Sequence, residues 1–353
     1  MHTQSNFRLL VVRLGSMGDI LHALPAVTAL RQAHPEWVID WVVEPRWRAL
    51  LAAEGSSSRS PAQPLVDRLH LAPTKEWKKA PLSRKTIREI KNLRSALRAC
   101  KYDAVLDLQG AIRSAVVGRL AGCRRLIGEA EPRERAARWL YTQRVTTRGT
   151  HVIEQDVELA SAVAGDSLAP EKPWLPVDPA AEAWAEKLLQ PSGAQPAVLI
   201  NPGAGWGAKR WPTERYAAVA QALIDRGLRV LINAGPGEEP LAEAIVQSAG
   251  AATALKCSLD QLIALTRRVA LVIAGDTGPL HLACALGRPV VGIYGPTDPS
   301  RNGPFGTRFK VLRSPASRLD HSRHAAPEAG LLTIQPEEVL RVAEELLHFG
   351  TAP

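Results

Sequence analysis

Eight short apolar runs punctuate the chain, and each leads through turn residues toward a helical pattern. They are LLVV (9–12), IDWVV (39–43), AVLDL (104–108) and RLIGE (125–129), then AVLIN (197–201), RVLINA (229–234), LVIAG (271–275) and VVGIYG (290–295). Runs this short and this continuously apolar suit strands buried on both faces, the condition of a parallel sheet covered by helices. The segments between them agree: Ile87, Ile90, Leu93 and Leu97 line one face of a helix whose other face is Lys and Arg, and Tyr216, Val219, Ala220 and Leu223 repeat the pattern later. Strand–helix alternation along the whole length predicts an α/β architecture. Pro and Gly cluster at both ends of one helical pattern within 172–196, which separates the first four runs from the last four. The expected organisation is two Rossmann-like domains with parallel sheets facing across a cleft. Their bounds are 1–175 and 197–330, with a linker over 176–196 and an amphipathic helix and tail over 331–353. A chain of 353 residues is long enough for two such cores.

Charge narrows the class of partner. Lys and Arg number 44 against 35 Asp and Glu, a net charge of +9. The excess is local: from Arg68 to Lys101 there are eleven basic residues against two acids, Glu76 and Glu89. Such a tract calls for an anionic partner, whether nucleic acid, acidic lipid or a phosphorylated substrate. Nucleic acid is disfavoured, because the tract carries no interleaved aromatic platform and no known docking motif. Cys100, Cys123, Cys257 and Cys284 form no C-x-x-C pair and have no histidine at metal-ligand spacing, which reads as reduced, mostly buried thiols of a cytosolic protein. The start, MHTQSNFRLLVV, lacks the features of a signal peptide, and Asp276, His281 and Arg288 interrupt the longest apolar tract. The expectation is a protein that neither crosses a membrane nor leaves the cell by that route.

Open parallel sheets bind ligands beyond the carboxyl ends of their strands, where glycine turns lead into helices. Four turns stand out. R-L-G-S-M-G-D (13–19) places Gly18 and Asp19 at a helix start, where Asp19 reads either as a cap or as a chemical group. Pro25 falls inside the apolar period that follows, so the helix is expected to kink there or to begin later. NPGAGWGAKRWP (201–212) brings Gly203 and two further glycines toward a ligand and ends in Lys209-Arg210, an anion cradle with a cation at its end. NAGPGEE (233–239) sets Glu238 and Glu239 at another helix start, as dipole complements or as acceptors for a ribose diol. GDTGPLH (275–281) delivers Thr277 and Gly278 to a helix N-terminus suited to phosphate. Asp276 there would repel a diphosphate, so it reads as a supporting or capping group, and His281 one turn on reads as structural or catalytic.

GSMGDILHALPA, KYDAVLDLQGAIRSA, GAKRWP and GDTGPLHLACALGRPVVGIYGPTDP together resemble the bacterial lipopolysaccharide heptosyltransferases, glycosyltransferase family 9, over about 9–306. The resemblance implies the two-domain GT-B fold. IDWVVEP and KEWKKAP are most similar to the heptosyltransferase I branch, whereas NPGAGWGAKRWP is more similar to heptosyltransferase II. It further implies transfer of L-glycero-D-manno-heptose from ADP-heptose, with inversion, to the first Kdo of Kdo2-lipid A. Heptosyl-Kdo2-lipid A is the alternative acceptor, and another nucleotide sugar the alternative donor. Asp19 would be the general base and Lys209 a phosphate ligand. Gly18, Gly203, Glu238 on the ribose, Asp276, Thr277, Gly278 and His281 complete the implied nucleotide-sugar site. Lys75, Lys78 and Lys79, with Trp77 among them, and Arg133 would bind the anionic acceptor. No D-x-D motif is placed to hold a metal, so neither metal nor cofactor is implied, ADP-heptose being a substrate. A monomer on the cytoplasmic face of the inner membrane completes the expectation.

Overall fold

In the computed structural model, residues 6–190, 195–320 and 324–348 are described. The chain divides into two compact units, Met1–Val177 and Asp178–Pro353. In the first unit, β1 (Arg8–Val12), β2 (Val38–Val43), β3 (Arg68–Leu71), β4 (Ala104–Asp107), β5 (Leu126–Glu129) and β6 (Gln143–Val145) form one sheet in the order β3-β2-β1-β4-β5-β6. Every pairing is parallel. The helices are α1 (Met17–Ala33), α2 (Thr74–Lys79), α3 (Arg84–Ala99), α4 (Ile112–Leu120) and α5 (Val152–Ala164), with α1 packed on α5. One face of the sheet closes over a core in which Leu10, Val12, Val42 and Val105 meet Leu93 and Leu97 of α3 and Ala115 and Val117 of α4.

The second unit repeats the plan. Its strands are β7 (Ala197–Asn201), β8 (Arg229–Asn233), β9 (Thr253–Leu255), β10 (Leu271–Gly275), β11 (Val290–Tyr294) and β12 (Phe309–Arg313). Their order is β12-β11-β10-β7-β8-β9, again all parallel, which is the doubly wound order read from the other edge. Its helices are α6 (Pro179–Leu189), α7 (Thr213–Asp225), α8 (Glu239–Ala249), α9 (Leu259–Thr266), α10 (Gly278–Ala285), α11 (Pro299–Asn302) and α12 (Pro336–His348).

One expectation needs correction. Most of the expected 176–196 linker is α6, an integral part of the second unit. Asp178 caps it by accepting from Ala181 N–H at 2.9 Å, Ala181 and Ala185 are buried, α6 packs on α9, and Glu182 is ion-paired to Arg267 and Arg268. The expected amphipathic helix at the C-terminus is α12, whose Val339, Val342, Ala343 and Leu346 complete the core of the second unit. Phe349 and the tail after it lie outside the described residues, as do residues 191–194. Of the two expectations for Pro25, the later start does not hold, since α1 runs from Met17 to Ala33 with Pro25 inside it. Interior proline costs a helix about 3 kcal/mol; here nearly every side chain from Ile20 to Arg31 is buried, so tertiary packing rather than propensity holds the helix. On α3 the apolar face holds only in part, with Leu93 and Leu97 buried and Ile87 exposed.

Candidate active site

A doubly wound sheet opens a crevice where the strand order reverses. In the first unit that point lies between β1 and β4, in the second between β7 and β10. Asp19 follows β1; Lys209 follows β7 and Asp276 follows β10. The candidate residues therefore fall on the switch points.

In the first unit the strand ends are tied into one rim. Leu14 N–H donates to Gln109 Oε1 at 2.8 Å, joining the loops after β1 and β4, and Glu44 N–H donates to the Leu14 carbonyl at 3.1 Å. Gly15 is at φ +152, and a Cβ there would lie 2.7 Å from the Trp47 indole nitrogen, so only glycine fits the turn. Asp19 is the third residue of α1, in a capping box with Ser16. Ser16 N–H and Oγ–H donate to its Oδ2 at 2.7 and 2.9 Å, and Arg13 Nη2 lies 3.3 Å from its Oδ1. Asp19 is thus a cap, and its side chain is still 35% exposed, open to a ligand. Burial pushes its pKa up, but Arg13, the Ser16 hydrogen bonds and the charge of Arg133 outweigh that and hold it below the ordinary aspartate value. Asp19 therefore feels the charge of Arg133. Lys75 N–H donates to Glu44 Oε1 at 3.1 Å, which fixes the start of α2 to the same rim, and the side chains of Lys75, Lys78 and Lys79 are exposed. Trp77 is the exception among the expected contact residues: it is buried, packs in the core and donates from its indole to Glu89 at 2.8 Å.

Behind Asp19 lies a second acid. Asp156 of α5 is buried with Oδ2 lacking a donor, and burial pushes its pKa up to about 7, against the pull of Arg13 and with the charges of Asp19, Glu129 and Asp107 raising it further. The folded chain then holds this proton up to about pH 7, while the unfolded chain releases it near 3.9. Asp156 therefore costs stability as pH rises through that window. Asp156→Asn should raise the melting temperature over the parent at pH 8 and leave it little changed at pH 4. Thermal unfolding at both values checks this, and an equal shift at both would refute the buried proton.

In the second unit the switch point is bridged by a salt bridge. Lys209 Nζ is ion-paired to Asp276 Oδ2, and Asp276 Oδ1 lies 3.2 Å from His281 Nε2. The side chains of Lys209 and Asp276 are only 10% and 5% exposed. Burial pushes the Asp276 carboxyl up; His281 and Lys209 together override that and hold it far below its ordinary value. The Lys209 ammonium also sits 4.3 Å from the centroid of the Trp206 ring, a cation–π contact. Gly278 opens α10, and its N–H has no acceptor within the helix, while Pro279 brings no N–H at all. The Thr277 hydroxyl donates to the Gly275 carbonyl at 3.2 Å, so in this state its proton is engaged away from the helix start. Glu238 lies between two glycines: Gly235 N–H donates to its Oε2 at 3.2 Å, and a Cβ on Gly203 would fall 1.9 Å from that oxygen. A side chain at 203 would therefore displace the Glu238 carboxylate from this position.

The switch point of the second unit thus carries a cation, a carboxylate and a helix N-terminus, and that of the first a held carboxylate. The model for "Glycosyltransferase family 9 (heptosyltransferase)" matches residues 90–330. The chain belongs to glycosyltransferase family 9. Lipopolysaccharide heptosyltransferase 1 of Escherichia coli K12 is 33% identical to this transferase over 318 residues, covering 88% of this chain and 95% of the relative. E. coli heptosyltransferase WaaC, solved with ADP-2-deoxy-2-fluoro heptose, matches with a TM-score of 0.75 at 31% identity, covering 96% of this chain and 99% of that one. E. coli ADP-heptose lps heptosyltransferase II matches with a TM-score of 0.76 at 23% identity over 98% of this chain and all of that one, which speaks for the fold alone. The protein is a family 9 transferase of the heptosyltransferase group in lipopolysaccharide inner-core biosynthesis. No described helix is long and apolar enough to cross a membrane.

Arg13, Trp206 and Asp156 were not singled out from the transferase's sequence. The first two were within reach: a basic residue closing a buried strand beside an acid, and a Trp three residues before Lys209, both carry a signal. Asp156 carries none, because nothing in EQDVEL indicates that α5 buries it within reach of the Arg13 charge.

Proposed function

We propose that this transferase moves L-glycero-D-manno-heptose from ADP-heptose to the first Kdo of Kdo2-lipid A, with inversion at the anomeric carbon. The observation that carries the donor half is the bridged switch point of the second unit: Lys209 held between Asp276 and Trp206, beside the open N-terminus of α10. In this reading ADP departs as the new bond forms, and Lys209 with the Gly278 N–H takes up the charge that develops on the diphosphate. Glu238, set between Gly203 and Gly235, receives the ribose hydroxyls. Asp276 and His281 keep Lys209 in place. These groups serve where other transferases use a metal, so the proposed transfer is metal-free.

The first unit supplies the acceptor side. Asp19 takes the proton of the attacking Kdo hydroxyl as the C–O bond to the heptose forms. A carboxylate held below its ordinary pKa is a weak base; it suffices because the acceptor oxygen becomes acidic only as it bonds to an oxocarbenium-like carbon. Arg133 and the exposed Lys75, Lys78 and Lys79 meet the carboxylates of Kdo and the phosphates of lipid A. The exposed basic face of α3 (Arg84, Lys85, Arg88, Lys91 and Arg98) holds the enzyme as a peripheral monomer on an anionic cytoplasmic membrane surface, at about 1 kcal/mol per residue near the lipid.

The deciding experiment offers ADP-heptose with Kdo2-lipid A or heptosyl-Kdo2-lipid A and reads the product by mass spectrometry. Transfer to the second acceptor alone would move the enzyme to heptosyltransferase II chemistry. Replacing Lys75, Lys78 and Lys79 together by Ala should raise the acceptor KM sharply and leave the Kd for ADP nearly unchanged. Well-formed charge-assisted contacts are worth about 1.5–3 kcal/mol each; these side chains are exposed and contribute less, and added salt should reproduce the effect in the parent. Equal loss of ADP affinity would assign the lysines to the donor side.

A further inference from the structure

The basic helix α3 ends over an unusual group of side chains. Asp40 of β2 pairs in register with Arg68 of β3, and His70 lies two residues on from Arg68. By the two-residue period of a strand, Asp40 and His70 therefore present to one face of the sheet, where Val42 packs with Leu93 and Leu97 of α3. Cys100, the residue that caps the C-terminus of α3, reaches the same spot. A carboxylate oxygen of Asp40, a ring nitrogen of His70 and the Cys100 sulfur all lie within 4.8 Å of one another.

Asp40 is 0% exposed. Its Oδ2 accepts from the Tyr102 hydroxyl at 2.6 Å and lies 3.7 Å from His70 Nε2, while its Oδ1 is buried with no donor. A fully buried carboxylate with one oxygen unmatched is costly to keep, and native structures explain such atoms by an ion, a water or a role. Tyr102 supports the arrangement, since its oxygen is also 2.8 Å from His70 Nε2. Arg68 Nη1 donates toward Cys100 Sγ at 3.5 Å, placed to share the charge of a thiolate. The His70 side chain is 11% exposed, which leaves a way in.

We propose that Asp40, His70 and Cys100 bind a borderline divalent metal ion, Zn2+ being the best match to one oxygen, one nitrogen and one sulfur donor. Binding forms three metal–ligand bonds and breaks the Cys100 S–H bond, whose proton passes to solvent; carboxylate and thiolate then balance the two charges of the ion. The site lies under the end of α3 and not at the carboxyl ends of the strands. It ties α3 to β2 and β3, so its loss is read in stability rather than turnover. The spacing of the cysteines gave no hint of it, because the ligands come from three separate elements.

The test uses the full chain stripped of metal by a chelator and dialysed. Titration with Co2+ should give, at one equivalent, a sulfur-to-cobalt charge-transfer band and tetrahedral visible absorption that Zn2+ abolishes. The band should persist in Cys123→Ser and Cys257→Ser and vanish in Cys100→Ser. Zn2+ should raise the Tm of the parent and leave those of Cys100→Ser and His70→Gln unmoved. X-ray absorption of the zinc-loaded parent, which needs no variant to fold, should show a single sulfur among nitrogen and oxygen ligands. Absence of the cobalt band in the parent, its survival in Cys100→Ser, or a zinc shell without sulfur would each overturn the proposal.

Discussion

Asp19→Asn should bind ADP as the parent does and turn over about 10²–10⁴ times more slowly, the usual cost of losing a general base. The substitution keeps an oxygen for the Ser16 N–H and hydroxyl, and it sets a neutral amide against Arg13 in place of a carboxylate. Some stability goes with it, about 0.5–2 kcal/mol for a weakened cap. Steady-state kinetics and ADP calorimetry on the same preparation separate the two effects. Retention of more than about a tenth of kcat would leave Asp19 a cap and nothing else. The pH profile adds a check. Because the folded-state pKa is lowered, the cap's contribution to stability is complete above the unfolded value near 3.9 and is lost as pH falls through the folded value. The base form consequently persists throughout the neutral range, and an acidic limb in kcat near pH 6 would have to belong to another group.

Lys209→Ala should lower ADP affinity and kcat by about 10- to 100-fold, as expected for one charge-assisted phosphate contact. Arg210→Ala should do far less, since Arg210 is exposed whereas Lys209 is fixed by Asp276 and Trp206. Equal effects would mean that the loop carries the function and not one cation. The structure adds a second expectation. Asp276 is buried and Lys209 nearly so, so Asp276→Asn strands an ammonium with little access to water, and breaking a buried pair from one side costs about 3–5 kcal/mol. Denaturant unfolding of the variant measures that loss; a change below about 1 kcal/mol, the worth of an exposed pair, would show that the bridge is solvated. The carboxyl's strongly lowered pKa has the same sign as that of Asp19: its contribution stands above about pH 3.9 and fades only as acid reaches the folded value.

All eight strands legible as apolar runs are interior strands, and the four that the runs do not announce, β3, β6, β9 and β12, are the two edges of each sheet. The reason is burial. An interior strand of a parallel sheet is covered on both faces and must be apolar throughout, whereas RLHL, QRV, TAL and FKVLR are half-open and carry polar residues that hide the pattern. Glycine turns after β1, β7, β8 and β10 were equally visible, because a backbone that must approach a ligand or a side chain closely admits no Cβ, as Gly15 against the Trp47 indole makes plain. By itself, then, the amino-acid sequence determined the α/β class, two sets of parallel strands, the turns that hold the candidate residues and the resemblance to family 9. Tertiary structure decided what those residues touch. It turned Trp77 inward, absorbed the supposed linker into the second unit and paired Lys209 with Asp276 across 67 residues. It also buried Asp156 within reach of the Arg13 charge and gathered Asp40, His70 and Cys100 under the end of α3. Such contacts depend on strand order and helix packing, and residues far apart in the chain leave no local period by which they could be read.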